Sequence, residues 1–219
     1  MSPRTSPEVR QYLAALRTLL VLTVILGLAY PLVMMGVAQA GFHDNANGSL
    51  VTRDGRTVGS SLIGQAFTQP VLENGKPKLD ADGNPVVEPD PAYFQSRPSA
   101  AGLGYDPLST SASNLGPNNE DLVTAVKERR GAAAALDGVA PSQVPPDALL
   151  ASGSGLDPHI SPAYARLQVA RIARERELSV QQVSALVDHH VQGRPLGFLG
   201  EPRVNVLELN LALDALVRR

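Results

Sequence analysis

The hydrophobic residues of this chain form one unbroken block near its beginning and shorter, periodic runs after it. The block covers residues 18–42, TLLVLTVILGLAYPLVMMGVAQAGF, and contains no Asp, Glu, Lys, Arg or His. A helix of this length, at about 1.5 Å per residue, is longer than the roughly 30 Å hydrocarbon core of a bilayer. Because lipid offers no partner to backbone N–H and C=O groups, a segment that crosses it must be helical. The pattern therefore predicts a single transmembrane helix over residues 18–42.

Small residues and one proline interrupt the bulky side chains of this predicted span. Thr23 and Gly27 are four residues apart, as are Gly36 and Ala40. Small residues at this spacing allow a neighbouring helix to approach closely, although they are also common in helices that face only lipid. Pro31 removes one backbone donor and clashes with the preceding turn, so it predicts a kink at residues 27–31.

Charge is distributed unevenly around the span. The first 17 residues carry three basic residues and one acidic residue, which are Arg4, Arg10, Arg17 and Glu8. Residues 43–219 hold 16 Lys and Arg against 20 Asp and Glu, a formal net charge of −4. Because basic flanks stay in the cytoplasm, residues 1–17 are expected to form a cytoplasmic tail and residues 43–219 a periplasmic domain. This describes a single-pass protein of the inner (cell) membrane.

A cleaved signal peptide is the competing interpretation of the same block. Ala38-Gln39-Ala40 resembles a small-residue cleavage site after a basic start. Signal peptides, however, have apolar cores of about 7–15 residues, and this block is longer. The length favours a retained anchor.

The residues after the span predict an α+β domain with a small sheet and several helices. A hairpin is expected around the turn dipeptide Asp54-Gly55. Residues 73–91, rich in Pro, acidic residues and Asn-Gly or Asp-Gly turns, predict an exposed loop or hairpin inserted into the domain. Helices are expected to start at four points with capping residues: near Asn118, at Ser161 followed by Pro162, at Ser179 with Gln182, and at Asn205 with Glu208.

Three finer expectations concern the interior of this domain. Tyr93 and Phe94 are expected at the buried end of a strand. An apolar start predicts a strand within residues 148–160, running into a tight turn at its SGSGLDPH sequence. The helix capped by Ser161 is expected to continue unbroken to about Glu177.

Composition excludes some classes of function and leaves others open. The chain has no cysteine, so no disulfide stabilises it, and its net charge is −2 with only four His. Nucleic-acid binding needs a concentrated basic face, which this balance does not provide. Residues 80–91 begin like a calcium loop, but Pro85 and Pro91 replace its essential Gly and Glu. Asp188, His189 and His190 are adjacent on a predicted helix and point in different directions, so no metal site is expected.

One group of residues has the composition of a catalytic site. Ser152 or Ser154, with Asp157 and His159, would supply a nucleophile, an orienting carboxylate and a base. Their crowding within eight residues counts against a triad, whose members converge from separate elements, and the G-x-S-x-G elbow is absent. Side chains that close a turn and cap a helix are the favoured interpretation. A membrane-anchored periplasmic hydrolase using Ser154, Asp157 and His159 remains the alternative.

Three long segments resemble the C subunit of the Kdp-type potassium-transporting ATPase. They are FQSRPSAAGLGYDPLSTSASNLGPNNEDL, ASGSGLDPHISPAYARLQVARIARERELS and LGFLGEPRVNVLELNLALD, at residues 94–122, 151–179 and 196–214. With the N-terminal span, the resemblance covers essentially the whole chain. Its most specific parts are SGSGLDPHISP and EPRVNVLELN.

The resemblance implies a non-catalytic subunit of a four-subunit complex. Its partners would be a channel-like potassium-translocating subunit, a P-type ATPase subunit and a small membrane peptide. The family is described as a catalytic chaperone that raises the ATP affinity of the ATPase subunit, so ATP and potassium would be engaged through the complex. The matched motifs suggest family and docking residues: Arg97, Ser152, Gly153, Ser154, Gly155, Asp157, His159, Ser161, Asn205, Glu208 and Asn210. Membrane packing is expected at Thr23, Gly27, Pro31 and Gly36.

Overall fold

The computed structural model describes residues 6–217, without the side chain of Val217. These residues form two compact units, which divide between Leu50 and Val51. The first unit consists of helices. The second is an α+β domain, as the sequence predicts.

The first unit is dominated by a helix from Pro7 to Gly41, 35 residues long and apolar enough to cross a membrane. It comprises α1 (Pro7–Val24), a π-helical turn (Ile25–Ala29) and α2 (Tyr30–Gly41), and a short α3 (His43–Ala46) follows. The Ser6 hydroxyl caps α1 by accepting from the N–H of Val9 at 3.4 Å. Much of the expected tail is therefore helical, from Pro7 onward. Arg4 lies outside the described residues.

The expected irregularity at Pro31 takes the form of the π-helical turn. The N–H of Tyr30 donates to Ile25, five residues back, in place of the usual four. Pro31 then stands as the second residue of α2. A proline ring clashes with the carbonyl four residues earlier in a regular helix, and a π-turn widens the helix where that clash would occur.

Short antiparallel hairpins begin the second unit. Strands β1 (Leu50–Arg53) and β2 (Arg56–Ser60) pair across Asp54-Gly55, where both residues have positive φ, 50° and 76°. Such angles belong to the tight hairpin turn that this dipeptide favours, so the predicted hairpin is confirmed.

The predicted insertion at residues 73–91 is a hairpin with a second one folded inside it. Strand β3 (Thr68–Pro70) pairs with β6 (Val87–Pro89), and β4 (Leu72–Glu73) pairs with β5 (Lys76–Pro77). The inner turn at Asn74-Gly75 again has two positive φ angles, and the tip is exposed.

The helices of the second unit start close to their predicted positions. They are α4 (Glu120–Asp137), α5 (Pro162–Leu167), α6 (Val169–Glu175), α7 (Val180–His190) and α8 (Val206–Val217). The Asn119 side chain caps α4, one residue after the expected start, and left-handed Gly138 ends it. Ser179 and Gln182 form the expected capping box of α7.

The expected unbroken helix from Ser161 to Glu177 is interrupted at Gln168 and ends at Glu175. The Gln168 side chain is fully buried, and its amide bonds both backbone groups of Gln95, at 2.7 and 3.2 Å. The break between α5 and α6 thus lies at the residue that holds the 90–95 segment against the helices.

Two expected strands are absent from the described chain. Phe94 is fully buried, but its backbone N–H and C=O bond the side chain of Asn210 instead of a strand. The apolar start of residues 148–160 follows a 3₁₀ turn, Pro146–Ala148, and only β7 (His159–Ile160) is extended. Pro145 and Pro146 lack the N–H groups that a strand ladder needs.

A three-stranded antiparallel sheet lies against the helices. Strand β9 (Arg203–Asn205) is central, with β7 on one side and β8 (Val191–Gln192) on the other. His159 pairs with Asn205, and Val191 pairs with Val204. This register brings the segment before Ser161 beside the start of α8.

Candidate docking site

Asp157 forms the centre of the cluster that the sequence singled out. Its Oδ2 lies 3.0 Å from Nη1 of Arg97, and its Oδ1 accepts from the backbone N–H of His159 at 3.0 Å. The Nδ1 of His159 is 3.1 Å from the same Oδ1. Burial tends to raise the pKa of Asp157, but the bonds from His159 and the charge of Arg97 outweigh it and hold the pKa below its usual value. The carboxylate therefore holds the turn closed and ties it to Arg97.

The Ser152 to Gly155 turn is fitted closely against a neighbouring loop. Gly155 has φ of 71°, and a Cβ on it would lie 2.7 Å from the backbone nitrogen of Ala101. The Gly155 carbonyl accepts from the Ser99 hydroxyl at 2.7 Å, and the Ser154 carbonyl accepts from Thr110 at 2.7 Å. Only a residue without a side chain fits this contact. Gly153, by contrast, has open space beside it.

Tyr105 fixes the other side of this contact. Its hydroxyl donates to the carbonyl of Arg97 at 2.7 Å, and its N–H donates to the Ser99 hydroxyl at 2.8 Å. Burial raises the pKa of Tyr105 to about 12, so it remains a neutral donor. A Cβ on Gly64 would lie 2.3 Å from the Tyr105 ring and 2.8 Å from the Asp157 carbonyl oxygen. Gly64, which follows the first hairpin, is therefore packed against both the 97–105 loop and the turn that contains Asp157, and no side chain fits at this position.

Ser161 caps α5 as expected, with a partner that the sequence did not indicate. Its Oγ accepts from the N–H of Tyr164 and donates to Oδ1 of Asp147, both at 3.0 Å. Its own N–H donates to Oδ2 of Asp147 at 2.6 Å. Asp147 is fourteen residues away in a proline-rich turn, so no local spacing could have revealed it.

The Asn205, Glu208 and Asn210 group serves α8 and its neighbours. Asn205 Oδ1 accepts from the N–H of Glu208 at 3.1 Å, which is the expected cap, and its amide donates to the Ser61 carbonyl at 2.8 Å. Glu208 takes part in this cap through its backbone. Asn210 is buried and bonds both backbone groups of Phe94, at 2.9 and 3.0 Å. Asn210 therefore has a structural role inside the domain.

A groove of about 400 Å³ opens where these elements meet. It joins the two most specific motif segments of the sequence, and its lining is largely charged: Arg97, Asp147, Asp157, His159, Ile160, Ser161, Glu201, Pro202 and Arg203. Three charged residues of this lining were not among the predicted site residues: Asp147, Glu201 and Arg203. The 3₁₀ turn Pro195–Gly197 comes shortly before the groove residues Glu201, Pro202 and Arg203 in the chain. The side chains of Leu196 and Phe198 are largely exposed. Charged residues in a groove with exposed apolar residues nearby in sequence suit contact with another protein.

The structure does not assemble the three hydrolase residues into a triad. Asp157 bonds His159, but the hydroxyl of Ser154 accepts from the N–H of Leu156 at 3.1 Å, within its own turn. Among residues 6–217, no hydrogen bond joins Ser154 to His159, and no group of three or more His, Cys, Asp or Glu could hold a metal ion. A nucleophile needs a base within hydrogen-bonding reach. The geometry at this turn is that of a structural cluster.

A buried ion pair in the interior of the domain was not indicated by the sequence. Arg171 is fully buried, and its Nε donates to Oδ1 of Asp137 at 2.7 Å. Its other nitrogens donate to Gln168 and to the carbonyls of Tyr93 and Pro91. In the sequence Arg171 is one of several arginines on an amphipathic helix, so only the three-dimensional packing distinguishes it.

Comparison with known proteins agrees with the motif segments. The family model described as KdpC: K+-transporting ATPase, c chain, matches residues 12–215. The "Potassium-transporting ATPase KdpC subunit" of Kineococcus radiotolerans is 54% identical over 213 residues, 97% of each chain. Proteins of the same name are 50% identical in Streptomyces avermitilis, over 93% of each chain, and 49% identical in Mycobacterium tuberculosis, over 94% of this chain and 99% of that one. The chain belongs to the KdpC family, the c chain of K+-transporting ATPases.

Proposed function

We propose that this chain is a non-catalytic subunit of a high-affinity, ATP-driven potassium uptake complex and is needed for its assembly and activity. The observation that carries the proposal is the groove formed by the two family motifs. Its polar side chains bond one another and the backbone, as at Asp157 and Ser161, and they present a fixed surface. A rigid polar surface of this kind suits recognition of a partner.

The proposed partners are a channel-like potassium-translocating subunit, a P-type ATPase subunit and a small membrane peptide subunit. We place residues 1–17 in the cytoplasm, the span in the membrane against a partner, and residues 43–219 outside, over the entrance of the channel-like subunit. The basic start of the chain supports this orientation. The net charge of −4 on residues 43–219 would weakly favour cations near such an entrance.

Lateral packing of the span is supported by the space beside its glycines. A Cβ on Gly27 would meet only the Thr23 methyl group, at 3.9 Å, and one on Gly36 would meet nothing within 4 Å. The helix itself therefore tolerates a larger residue at either position. Gly27→Leu is expected to weaken recovery of the partner more than Leu20→Val, although both variants remain hydrophobic enough to insert. Equal recovery with the two variants would argue that Gly27 faces lipid.

The resemblance implies that this chain raises the ATP affinity of the ATPase subunit. We propose that this effect is indirect. In the proposed orientation the domain and the cytoplasmic ATP lie on opposite sides of the membrane, so ATP and potassium are engaged by the partners. A variant of the chain that weakens its contact with the partners but leaves the complex assembled should then raise the KM of the complex for ATP. An unchanged KM in a complex that still assembles would remove this part of the proposal.

Purification from membranes in mild detergent, with a tag on this chain, tests the proposed partners. Mass spectrometry is expected to find a channel-like protein and a P-type ATPase in constant ratio to the chain. Purification of the chain alone, with a hydrolytic activity lost in Ser154→Ala, would support the hydrolase alternative instead. Reporters active on one side of the membrane, fused after Arg219, test the orientation, and a cytoplasmic signal would contradict it.

A further inference from the structure

Arg203 lines the groove with part of its hydrogen-bonding capacity unused. Its Nε donates to Oε1 of Gln192 at 3.2 Å, and this bond holds the guanidinium on the sheet. Among residues 6–217, no carboxylate forms an ion pair with Arg203, and neither of its terminal nitrogens donates to another group. The terminal nitrogens of an arginine form a planar fork that matches the two oxygens of a carboxylate. Arg203 can therefore still bind one.

The other cationic side chains at the groove are already paired. Arg97 and His159 both bond the carboxylate of Asp157, at 3.0 and 3.1 Å. Arg194, which comes shortly before the groove residues in the chain, donates to Glu201 at 2.6 Å. An acidic group that enters the groove would therefore find its strongest partner at Arg203.

The two remaining acidic residues of the lining do not pair with Arg203. Glu201 bonds Arg194 instead, and its side chain is 80% exposed. The two oxygens of Asp147 accept from the N–H and the hydroxyl of Ser161, at 2.6 and 3.0 Å. The chain thus directs its own carboxylates to other donors and leaves the Arg203 fork for a group from outside.

The sheet register places Arg203 where such a group can reach it. Val204 is fully buried in the core, so its neighbours in β9 point to the opposite face of the sheet. Asn205, on that outer face, is covered through its bond to the Ser61 carbonyl. Arg203, at the other end of the strand, remains only partly buried and lines the groove.

A partly buried arginine with an open fork is a typical anchor of a protein interface. We propose that Arg203 binds the carboxylate of an Asp or Glu side chain on an outside loop of the channel-like partner subunit. Cation-conducting proteins use acidic side chains along their pathway to attract ions. A domain with a net charge of −4 on residues 43–219 would be repelled from such a surface unless it presented a cation at the contact. This inference rests on the proposed function and adds to it the residue and the chemistry of one contact.

Charge reversal at Arg203 tests the contact in the full chain, purified with its partners in mild detergent. Arg203→Glu is expected to lower recovery of the channel-like partner at least about tenfold, because it sets two carboxylates against each other. Arg130→Glu is the matched control, since Arg130 is exposed on α4 and lies outside the groove, and it should lower recovery less than about twofold. Recovery equal to that of the wild type, or an equal loss in both variants, overturns the inference.

Zero-length crosslinking identifies the group that Arg203 contacts, in a variant that keeps the positive charge. Arg203→Lys supplies a primary amine, and a water-soluble carbodiimide joins an amine to a carboxylate in direct contact with it. In membranes that contain the assembled complex, the introduced lysine should be linked to an Asp or Glu of the channel-like subunit. Arg130→Lys should give no such link. The inference is overturned if the introduced lysine is linked only to this chain, only to another subunit, or to nothing while the complex remains assembled.

The two proposals fail in different ways. If the wild-type chain recovers neither a channel-like protein nor a P-type ATPase, the proposed function is wrong. If the wild type recovers both and Arg203→Glu recovers them equally well, the proposed function stands and Arg203 is excluded as an anchor. The thermal unfolding midpoint of Arg203→Glu, expected to stay close to that of the wild type, separates a lost contact from a lost fold, and the crosslink in Arg203→Lys decides the inference if that midpoint falls.

Discussion

Asp214 in the last helix bonds Arg53 in the first hairpin, with Oδ2 2.5 Å from Nη1. The other oxygen of the same carboxylate accepts from Arg176 at 2.9 Å, and the Arg176 guanidinium lies 4.3 Å from the centre of the Tyr93 ring. One carboxylate therefore joins the hairpin that follows the long N-terminal helix to α6 and α8. The hydrogen bond to Asp214 is the main reason that the pKa of Arg53 is raised.

The bridge at Asp214 should contribute to stability more than an ordinary surface ion pair. Asp214→Asn is expected to lower the thermal unfolding midpoint of the detergent-solubilised protein by about 2–4 °C. Asp188→Asn is the matched control, because Asp188 pairs with Arg166 in a contact where both side chains are more than half exposed. Such exposed pairs contribute little. Equal shifts in the two variants would mean that Asp214 does not hold the hairpin.

Gly155→Ala should destabilise the domain. Position 155 has a left-handed backbone, and the new Cβ would lie 2.7 Å from a backbone nitrogen, so the Ala101 loop would have to move. A loss of about 2 kcal/mol in the free energy of unfolding is expected. Gly153→Ala, two residues away in open space, should change it by less than about 0.5 kcal/mol. Denaturant unfolding of both variants measures the difference.

Breaking the buried ion pair between Arg171 and Asp137 should lower the free energy of unfolding by more than Gly155→Ala does. Arg171→Met removes the partner of Asp137 and leaves an unpaired carboxylate in the interior, so a loss of about 3–5 kcal/mol is expected. Adding Asp137→Leu to this variant removes the stranded charge and should restore part of the stability. If the double variant is less stable than Arg171→Met alone, the loss comes from the bonds to Pro91 and Tyr93 instead.

The Asp157 cluster should make stability depend on pH. Because the folded-state pKa of Asp157 is lowered, its contribution is present above the unfolded pKa, about 3.9, and disappears as the pH falls through the folded-state value. The unfolding midpoints of the wild type and Asp157→Asn are therefore expected to differ most above pH 5 and to converge below pH 4. A difference that grows on acidification would contradict the sign of this shift.

Local chemistry was enough to predict some elements of this fold. The turn at Asp54-Gly55 and the caps at Ser161, Ser179 and Asn205 depend on residues close in sequence, and they form as predicted. The apolar block likewise identifies the long N-terminal helix from composition alone.

Most of the missed features depend on residues distant in sequence. The break at Gln168 coincides with its bonds to Gln95, 73 residues away, and the loss of the expected strand at Phe94 with its bonds to Asn210. The partner of Ser161 is Asp147, and the buried position of Arg171 depends on Asp137. Helical periodicity describes one element at a time, so it cannot indicate which polar residue on a helix will meet a distant backbone.

Potassium-stimulated ATP hydrolysis in membranes that contain the other proposed subunits, with and without this chain, tests the central claim most directly. If the chain holds the complex together, its absence should abolish the stimulation and the joint recovery of the channel-like and ATPase subunits, and supplying the intact chain should restore both. If the remaining subunits assemble and hydrolyse ATP with unchanged potassium stimulation in its absence, the account is contradicted.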